Sequence, residues 1–420
     1  MNVNMMYIRK AVKSRKDQKL YETKPIGSAI KFKRKQMNMT LEEAADGICS
    51  VSYLSKLENN QIEVSDQFIP PLMSLFGLDD IYEKIDDTYE DDLDLIIDHL
   101  IFYQMSSKDL VEKYEGRYDY QSELVRMGYY TLIKNDEEAR KSFRDLKSYI
   151  PNFKDKDFTL FLIISNISLF KLNRFSEAFE FLSFVPKFEV LSQQLILLVL
   201  KWRLLNAFRM HRISEVFNTY PVYVNMLVDM GHYDLLQDIR DAYVQFEAYF
   251  QNPQNIKETL DKMHNLSREN RDFVIAKSLF FTQKYREVID LSKPYYKNSS
   301  QWLVIYLMSL DNERRHGELA ELLAHSDELN EVCNTSKLLI SHLKYKYGGD
   351  KEQLLNYLRR EILGIKHLTD EYHVLDYLMN DAQRLFSKHQ HYKEAVQVTT
   401  HYLPILKILK QSSKTAQNED

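Results

Sequence analysis

Apolar positions recur at helical spacing along nearly the whole chain, in two registers. Between Ile26 and Leu78 they fall into short runs. Ile26, Ile30 and Met37 share one side of a first helix. Thr40, with Glu43 three residues later, has the spacing of a capping box that opens a second helix, and Gly47 closes it. After a turn at Ile48-Cys49-Ser50, Val51, Leu54 and Leu57 form an apolar spine while Ser52, Tyr53, Ser55 and Lys56 project elsewhere. Phe68, Leu72, Leu75 and Phe76 mark a closing helix. The stretch predicts five short helices with a sharp turn between the second and third, a helix-turn-helix arrangement in which the third helix presents a small, polar outer face.

From about Leu93 the pattern predicts helices to the end of the chain, and it repeats. EEARKSF, SEAFEFL, SEVFNTY, REVIDLS and KEAVQVT each place a small or β-branched residue after a Glu, with an aromatic or aliphatic residue three to four positions on. Three of the anchors, Ala139, Ala178 and Val216, lie 39 and 38 residues apart; Val288 and Ala395 anchor the last two segments. One helix pair cannot bury its apolar face alone, so the repeat predicts about seven to eight stacked pairs with a concave inner surface. Phe161, Phe170, Phe179, Phe280, Phe281 and Tyr306 are read as core. The fold class is all-α, a five-helix N-terminal domain followed by an α-solenoid.

Composition agrees. Only 10 glycines and 9 prolines in 420 residues leave too few turn formers for a β-sandwich, a TIM barrel or a Rossmann sheet. No apolar run approaches the roughly 20 residues of a membrane span, and MNVNMMYIRK lacks the apolar centre of a signal peptide. Cys49 and Cys333 have neither a disulfide framework nor metal-ligand spacing. The expected location is cytoplasmic. No GxxxxGK[ST], HExxH, GxSxG or Cys-His cluster is present, and His389 and His391 are read as surface residues, so neither an enzyme nor a cofactor or metal is expected.

Charge is unevenly placed. Residues 1–35 hold eleven Lys/Arg against Asp17 and Glu22, whereas the whole chain carries a net −5. A basic end on an acidic body suggests that this end meets a polyanion, with Arg9 to Lys24 as an extra phosphate clamp or an idle leader. From Asp79 to Asp98 come ten acids and one lysine, Lys84, read as a solvated linker and helix face because a calcium loop's glycine and spaced oxygens are absent.

The stretch IGSAIKFKRKQMNMTLEEAADGICSVSYLSKLENNQ resembles the XRE (Cro/cI-type) helix-turn-helix at Ile26-Gly27, Ile30-Lys31, Arg34, Met39-Thr40, Glu42-Glu43, Ala45 and Ser50 through Asn59. It departs at Leu41, where the family usually has a Gln that touches DNA, and at Val64, where a Pro usually precedes Ser65. The resemblance implies that the third helix enters the major groove, with Ser50, Ser52 and Tyr53 near base edges or phosphates and Arg34 and Lys56 near the backbone. Ser50 is equally an N-cap, Tyr53 could pack at the rim, and Glu58 is read as an internal salt-bridge partner.

The repeats resemble a degenerate tetratricopeptide (TPR) pattern. Polar residues at positions that tend to face inward in such proteins are Lys201, Arg209, Lys277 and Arg384, with Asn166, Asn206 and Asn380 nearby, and the resemblance implies a peptide ligand for them. An Asn amide can donate to and accept from a peptide backbone at once, and Arg or Lys can meet a carboxylate. The two parts together resemble the RRNPP group of Gram-positive quorum-sensing regulators, its NprR-like members most closely. That resemblance implies a transcription regulator that binds operator DNA as a homodimer or higher oligomer and is switched by a short signalling peptide. The alternative is an antagonist of a response regulator in a sporulation-type phosphorelay. The expected organisation is a basic arm (1–24), a DNA-binding domain (25–78), an acidic linker (79–92), a TPR-like domain (93–412) and a disordered tail (413–420).

Overall fold

The structure, a computed structural model, describes residues 4–16, 26–59, 61–62, 65–78, 88–104, 106–117, 119–263, 266–326, 334–363 and 371–402. The expectations for Lys24, Val64, Cys333, the first part of the acidic run and the tail lie outside them. Every regular element among the described residues is helical. The chain forms two compact units, residues 1–171 with 177–202, and residues 172–176 with 203–420.

The first unit begins with a helix that the basic-arm reading did not anticipate, α1 (Met5–Lys16). Ile8, Ala11 and Val12, at i, i+3 and i+4, are buried, and α1 packs on a 3-10 segment at Lys147–Asn152. Two of its cations are held there: Arg15 Nη2 lies 2.5 Å from Asp155 and its Nε donates to the Phe153 carbonyl at 3.0 Å, while Arg9 pairs with Glu180 at 2.6 Å. Between Ile26 and Leu78 the described residues form four helices, α2 (Ile26–Gln36), α3 (Leu41–Ala45), α4 (Val51–Glu58) and α5 (Ile69–Phe76); α1 is the fifth of the N-terminal region. Met37 follows the end of α2 and is exposed, off the face expected for it.

The unit continues with α6 (Tyr89–Phe102), α7 (Asp109–Glu112), α8 (Tyr120–Leu132), α9 (Asp136–Leu146), α10 (Asp155–Lys171) and most of α11 (Phe175–Ser183). Two buried acids act as buttresses here, one from the charged run and one from α10. Asp92 is buried and accepts from Lys113 Nζ at 2.9 Å and Tyr114 Oη at 2.8 Å. Asp157 is fully buried between the hydroxyls of Tyr89 (3.0 Å) and Tyr120 (3.2 Å). Gly128 on α8 lets α6 approach so closely that a Cβ there would stand 2.8 Å from Ile96 Cγ2.

The chain passes to the second unit within α12 (Gln193–Met210). There follow α13 (Ile213–Asp229), α14 (Tyr233–Glu247), α15 (Pro253–Asp261), α16 (Arg268–Phe281), α17 (Tyr285–Ser292), α18 (Ser300–Asn312), α19 (His316–Ala324), α20 (Asn334–Tyr347), α21 (Lys351–Tyr357), α22 (Tyr372–Lys388) and a helical stretch over 392–402. Within this unit helices pack chiefly on neighbours in sequence, the pairing a helical solenoid requires. An extensive apolar cluster in it includes Phe273, Val288, Trp302, Leu307, Leu319, Leu339 and Leu378.

The repeat anchors occupy equivalent places. Ala139, Ala178, Val216, Val288 and Ala395 are all buried. Each lies five residues after a non-glycine residue in the left-handed region, respectively Lys134, Asn173, His211, Gln283 and Gln390, with φ between 52° and 65°. Arg314 and Leu319 continue the series, as do Gly231 with Leu236 and Gly349 with Leu354. The turn hydrogen bonds identify the motif: Asn135 N donates to Tyr130 O and Lys134 N to Thr131 O, and Lys284 N to Leu279 O and Gln283 N to Phe280 O. This is the Schellman ending of one helix, which aims the next helix so that its first inward residue is the anchor.

Candidate functional site

The reading helix is positioned by its own caps. Thr40 Oγ1 accepts from Glu43 N at 3.2 Å and Glu43 Oε2 accepts from Thr40 N at 2.7 Å, the reciprocal box expected from the spacing. Gly47, at φ 68°, carries the turn. Ser50 caps α4, its Oγ accepting from Tyr53 N at 3.1 Å. Ala44, Ala45, Leu54, Leu57, Leu72 and Phe76 form the core beneath, with Leu41 packed against it rather than facing out.

Two expected DNA contacts are engaged within the domain. Arg34 donates through Nε and Nη2 to Glu58 at 2.6 and 2.8 Å and through Nη1 to Met39 O at 2.8 Å. Glu58 is 2% exposed, so its carboxylate needs the guanidinium, and Arg34 ties α2 to α4 instead of standing free for a phosphate. Tyr53 is half-buried against Phe68, ring centroids 4.7 Å apart, and its Oη accepts from Ser65 N at 2.8 Å. It is a rim-packing residue that fixes the loop after α4. Ser50, Ser52 and Lys56 remain exposed on α4, joined by Val51, which the spine reading had counted as core.

The C-terminal end of α4 is fixed from outside the domain. Asn152 is buried, and its Nδ2 donates to Glu58 O at 3.1 Å. Lys31 Nζ lies 5.2 Å from the Tyr149 ring centroid and donates to Asn59 Oδ1 at 2.9 Å; burial pushes its pKa down to about 8. No pattern in the sequence pairs positions 58 and 152.

Residues 30–80 match the helix-turn-helix family model. No curated protein and no solved structure matches the chain. The helix-turn-helix domain supports double-stranded DNA as a partner and transcription regulation as the role. No helix of the described residues is long and apolar enough to cross a membrane, and no cluster among them has the makings of a metal site.

The residues expected to bind peptide separate into different environments. Asn166 and Lys201, in the first unit, are buried: Asn166 Nδ2 donates to Ala178 O at 2.7 Å, and Lys201 Nζ reaches Ile101 O at 3.3 Å over the Tyr103 ring. Both brace helices and neither faces an open surface. In the second unit Asn206 is fully buried, while Asn380 and Arg384 are exposed on α22. Arg209 and Lys277 come together at a cavity.

That cavity is small and partly open to solvent, and Phe273, Phe280, Phe281, Val304 and Ile305 supply its apolar lining beside Tyr249, Gln301, Glu371 and His373. Lys277 is 8% exposed, with its ammonium 4.7 Å from the Phe273 ring centroid and 5.2 Å from that of Tyr249. Arg209 is held by Gln301, whose amide oxygen, in the orientation that satisfies both groups, accepts from Nη1 at 2.6 Å and also from Nη2. Among the described residues no carboxylate lies within ion-pair reach of Lys277 or Arg209; the acid in the lining, Glu371, is 4.0 Å from His373. The electrostatics follow. Burial, then the Arg209 charge, pushes Lys277 down to about 7 against the pull of Glu371. Burial, Lys277 and Arg209 push His373 down to about 3.

Proposed function

We propose that the protein is a peptide-responsive transcription regulator of the RRNPP type, binding operator DNA as a homodimer through its helix-turn-helix domain. The observation that carries the ligand half of this reading is the cavity of the second unit. There two cations lie beside aromatic and aliphatic walls and one acid, Glu371, without an ion-pair partner among the described residues, a poor arrangement for stability and a good one for capture of a ligand. The DNA half rests on the match at residues 30–80 and on the exposed N-terminal turn of α4. Ser52 and Lys56 are the side chains available to a groove, Ser50 orients the helix start, and Arg34, Tyr53 and Glu58 hold its angle. Two domains on a dyad raise affinity through effective concentration, which favours a dimer on a two-half-site operator.

The test is selection of a duplex from a random pool by the full-length protein, followed by titration with and without peptides from conditioned growth medium. Binding should weaken with salt, the slope of log affinity on log salt being about 0.9 per phosphate neutralised. Affinity for the selected duplex should change when the peptide fraction is added. No selected sequence, or a selected one whose affinity is indifferent to every peptide fraction, would end the reading.

A further inference from the structure

The outer face of the reading helix holds few of the side chains that name a base. Ser52 and Lys56 are the polar groups that α4 exposes; beside them Val51 stands 37% exposed at the first helical position, with Ser55 half-buried one turn on. Guanine is recognised best by a bidentate Arg or Lys, and adenine by a bidentate Asn or Gln. The nearby residues of those kinds are engaged within the domain. Arg34 is tied to Glu58 and the Met39 carbonyl, and Asn59 donates to Ser55 O at 2.8 Å while accepting from Lys31. Position 41 holds a Leu packed on the core. Serine hydroxyls both donate and accept, so Ser52 and Ser55 discriminate little, and Lys56 suits a guanine or a phosphate equally.

Val51 is different, because it has a single suitable partner in the groove. Thymine alone among the bases presents an apolar group there, its C5 methyl. Against a purine edge or the cytosine amine, the valine methyls would strip water from polar atoms without pairing them. Val51 also gains little for the fold: it lies outside the buried cluster of the domain, and a β-branched residue is a poor helix former. We infer that Val51 selects a thymine by packing on its C5 methyl group when α4 enters the major groove. The inference rests on the proposed DNA-binding role and adds the base that the helix start prefers. Such a contact loses a quarter to a half of its attraction over a gap of about 0.5–1 Å, so it needs a helix start held in place. The Ser50 cap and the Arg34–Glu58 pair hold it.

The experiment uses the full-length protein and a duplex that it selects from a random pool. Each thymine of that duplex is replaced in turn by deoxyuridine, which deletes the methyl and leaves base pairing unchanged, and affinity is read by fluorescence anisotropy. Replacement of one thymine in each half-site should weaken binding by about three- to fivefold, the worth of one buried methyl group. The Val51→Ala protein should bind the thymine and uracil forms of that position equally, whereas Val51→Ile, which keeps the apolar surface, should retain the preference. The uracil scan is made on the unaltered protein, so it stands even if a variant fails to fold. A selected duplex in which no thymine is sensitive overturns the inference while leaving a DNA-binding regulator intact. A sensitive thymine whose penalty survives undiminished in Val51→Ala is read by another side chain, and also overturns it. Failure to select any duplex ends the inference and the DNA-binding role together.

Discussion

Removing one partner of the Arg34–Glu58 pair should detach the reading helix from the rest of its domain. The Glu58 side chain is 3% exposed and that of Arg34 12%, and three charge-assisted or carbonyl bonds converge on one guanidinium. Glu58→Leu leaves Arg34 with only the Met39 carbonyl; Arg34→Met leaves a buried carboxylate without its hydrogen-bonded ion-pair partner. Breaking a buried pair from either side costs about 3–5 kcal/mol, whereas replacing both members by apolar groups is often nearly neutral. The Arg34→Met/Glu58→Leu double variant should therefore recover most of the loss, a strongly non-additive cycle. Because the chain has two compact units, a whole-molecule melting curve would mix them. Hydrogen exchange of the α4 amides, converted to opening free energies, isolates the effect. Single variants that lower α4 protection by less than about 1 kcal/mol would place the pair among weak surface contacts. A double variant equal to the sum of the singles would show that the two residues act independently. Either result refutes the reasoning.

Four further outcomes are expected. Gln283→Gly and Gln390→Gly, at positive φ in exposed Schellman turns, should each stabilise the second unit by about 0.5–1 kcal/mol, seen as a raised transition in calorimetry, because glycine adopts that conformation without Cβ strain. Gly128→Ala should destabilise the first unit by about 1–3 kcal/mol in urea, since the new methyl meets the buried, branched Ile96, and adding Ile96→Val should return part of it. Burial lifts the Asp157 carboxyl to about 6 even though Tyr89 and Tyr120 donate to it. The folded state then binds the extra proton, so stability should fall as pH rises from about 4 to 6, by something on the order of 3 kcal/mol; Asp157→Asn should flatten that slope in urea titrations. Ser52→Ala with Lys56→Ala should cost about 1–3 kcal/mol on the selected duplex, measured by fluorescence anisotropy, and more there than on random DNA.

The parts of this molecule that local chemistry decides were readable in advance. The Thr40–Glu43 box, the Gly47 turn, the Leu54 and Leu57 spine and the five repeat anchors all rest on spacings of a few residues. Helix α1 escaped notice because Arg9, Lys10 and Lys13 dominate its composition, although Ile8, Ala11 and Val12 already trace one face. The repeat turns escaped notice for a related reason: Lys134, His211, Gln283, Arg314 and Gln390 adopt a conformation usually marked by glycine, so glycine counting cannot find them. The inward-facing polar set was only partly resolvable. In α10 and α12 apolar residues surround the helix, and periodicity cannot tell a side chain aimed at a groove from one aimed at the next helix. Asn166 and Lys201 proved to be the latter kind, whereas Arg209 and Lys277 meet across a separation of 68 positions that no short-range pattern encodes.

The amide of Asn152 on the last carbonyl of α4 has a consequence for dissection and grafting. A head excised at residue 78 would carry its reading helix with an unanchored end and with Lys31 stripped of its aromatic platform at Tyr149. The smallest transplantable reader is therefore the segment running through Asn152 and its flanking 3-10 turn, with α1 retained to cover that turn. A chimera that joins residues 1–78 to a foreign sensor would inherit the sequence of the reader without the clamp that sets its pitch, whereas a junction placed after Lys171 would carry reader and clamp together.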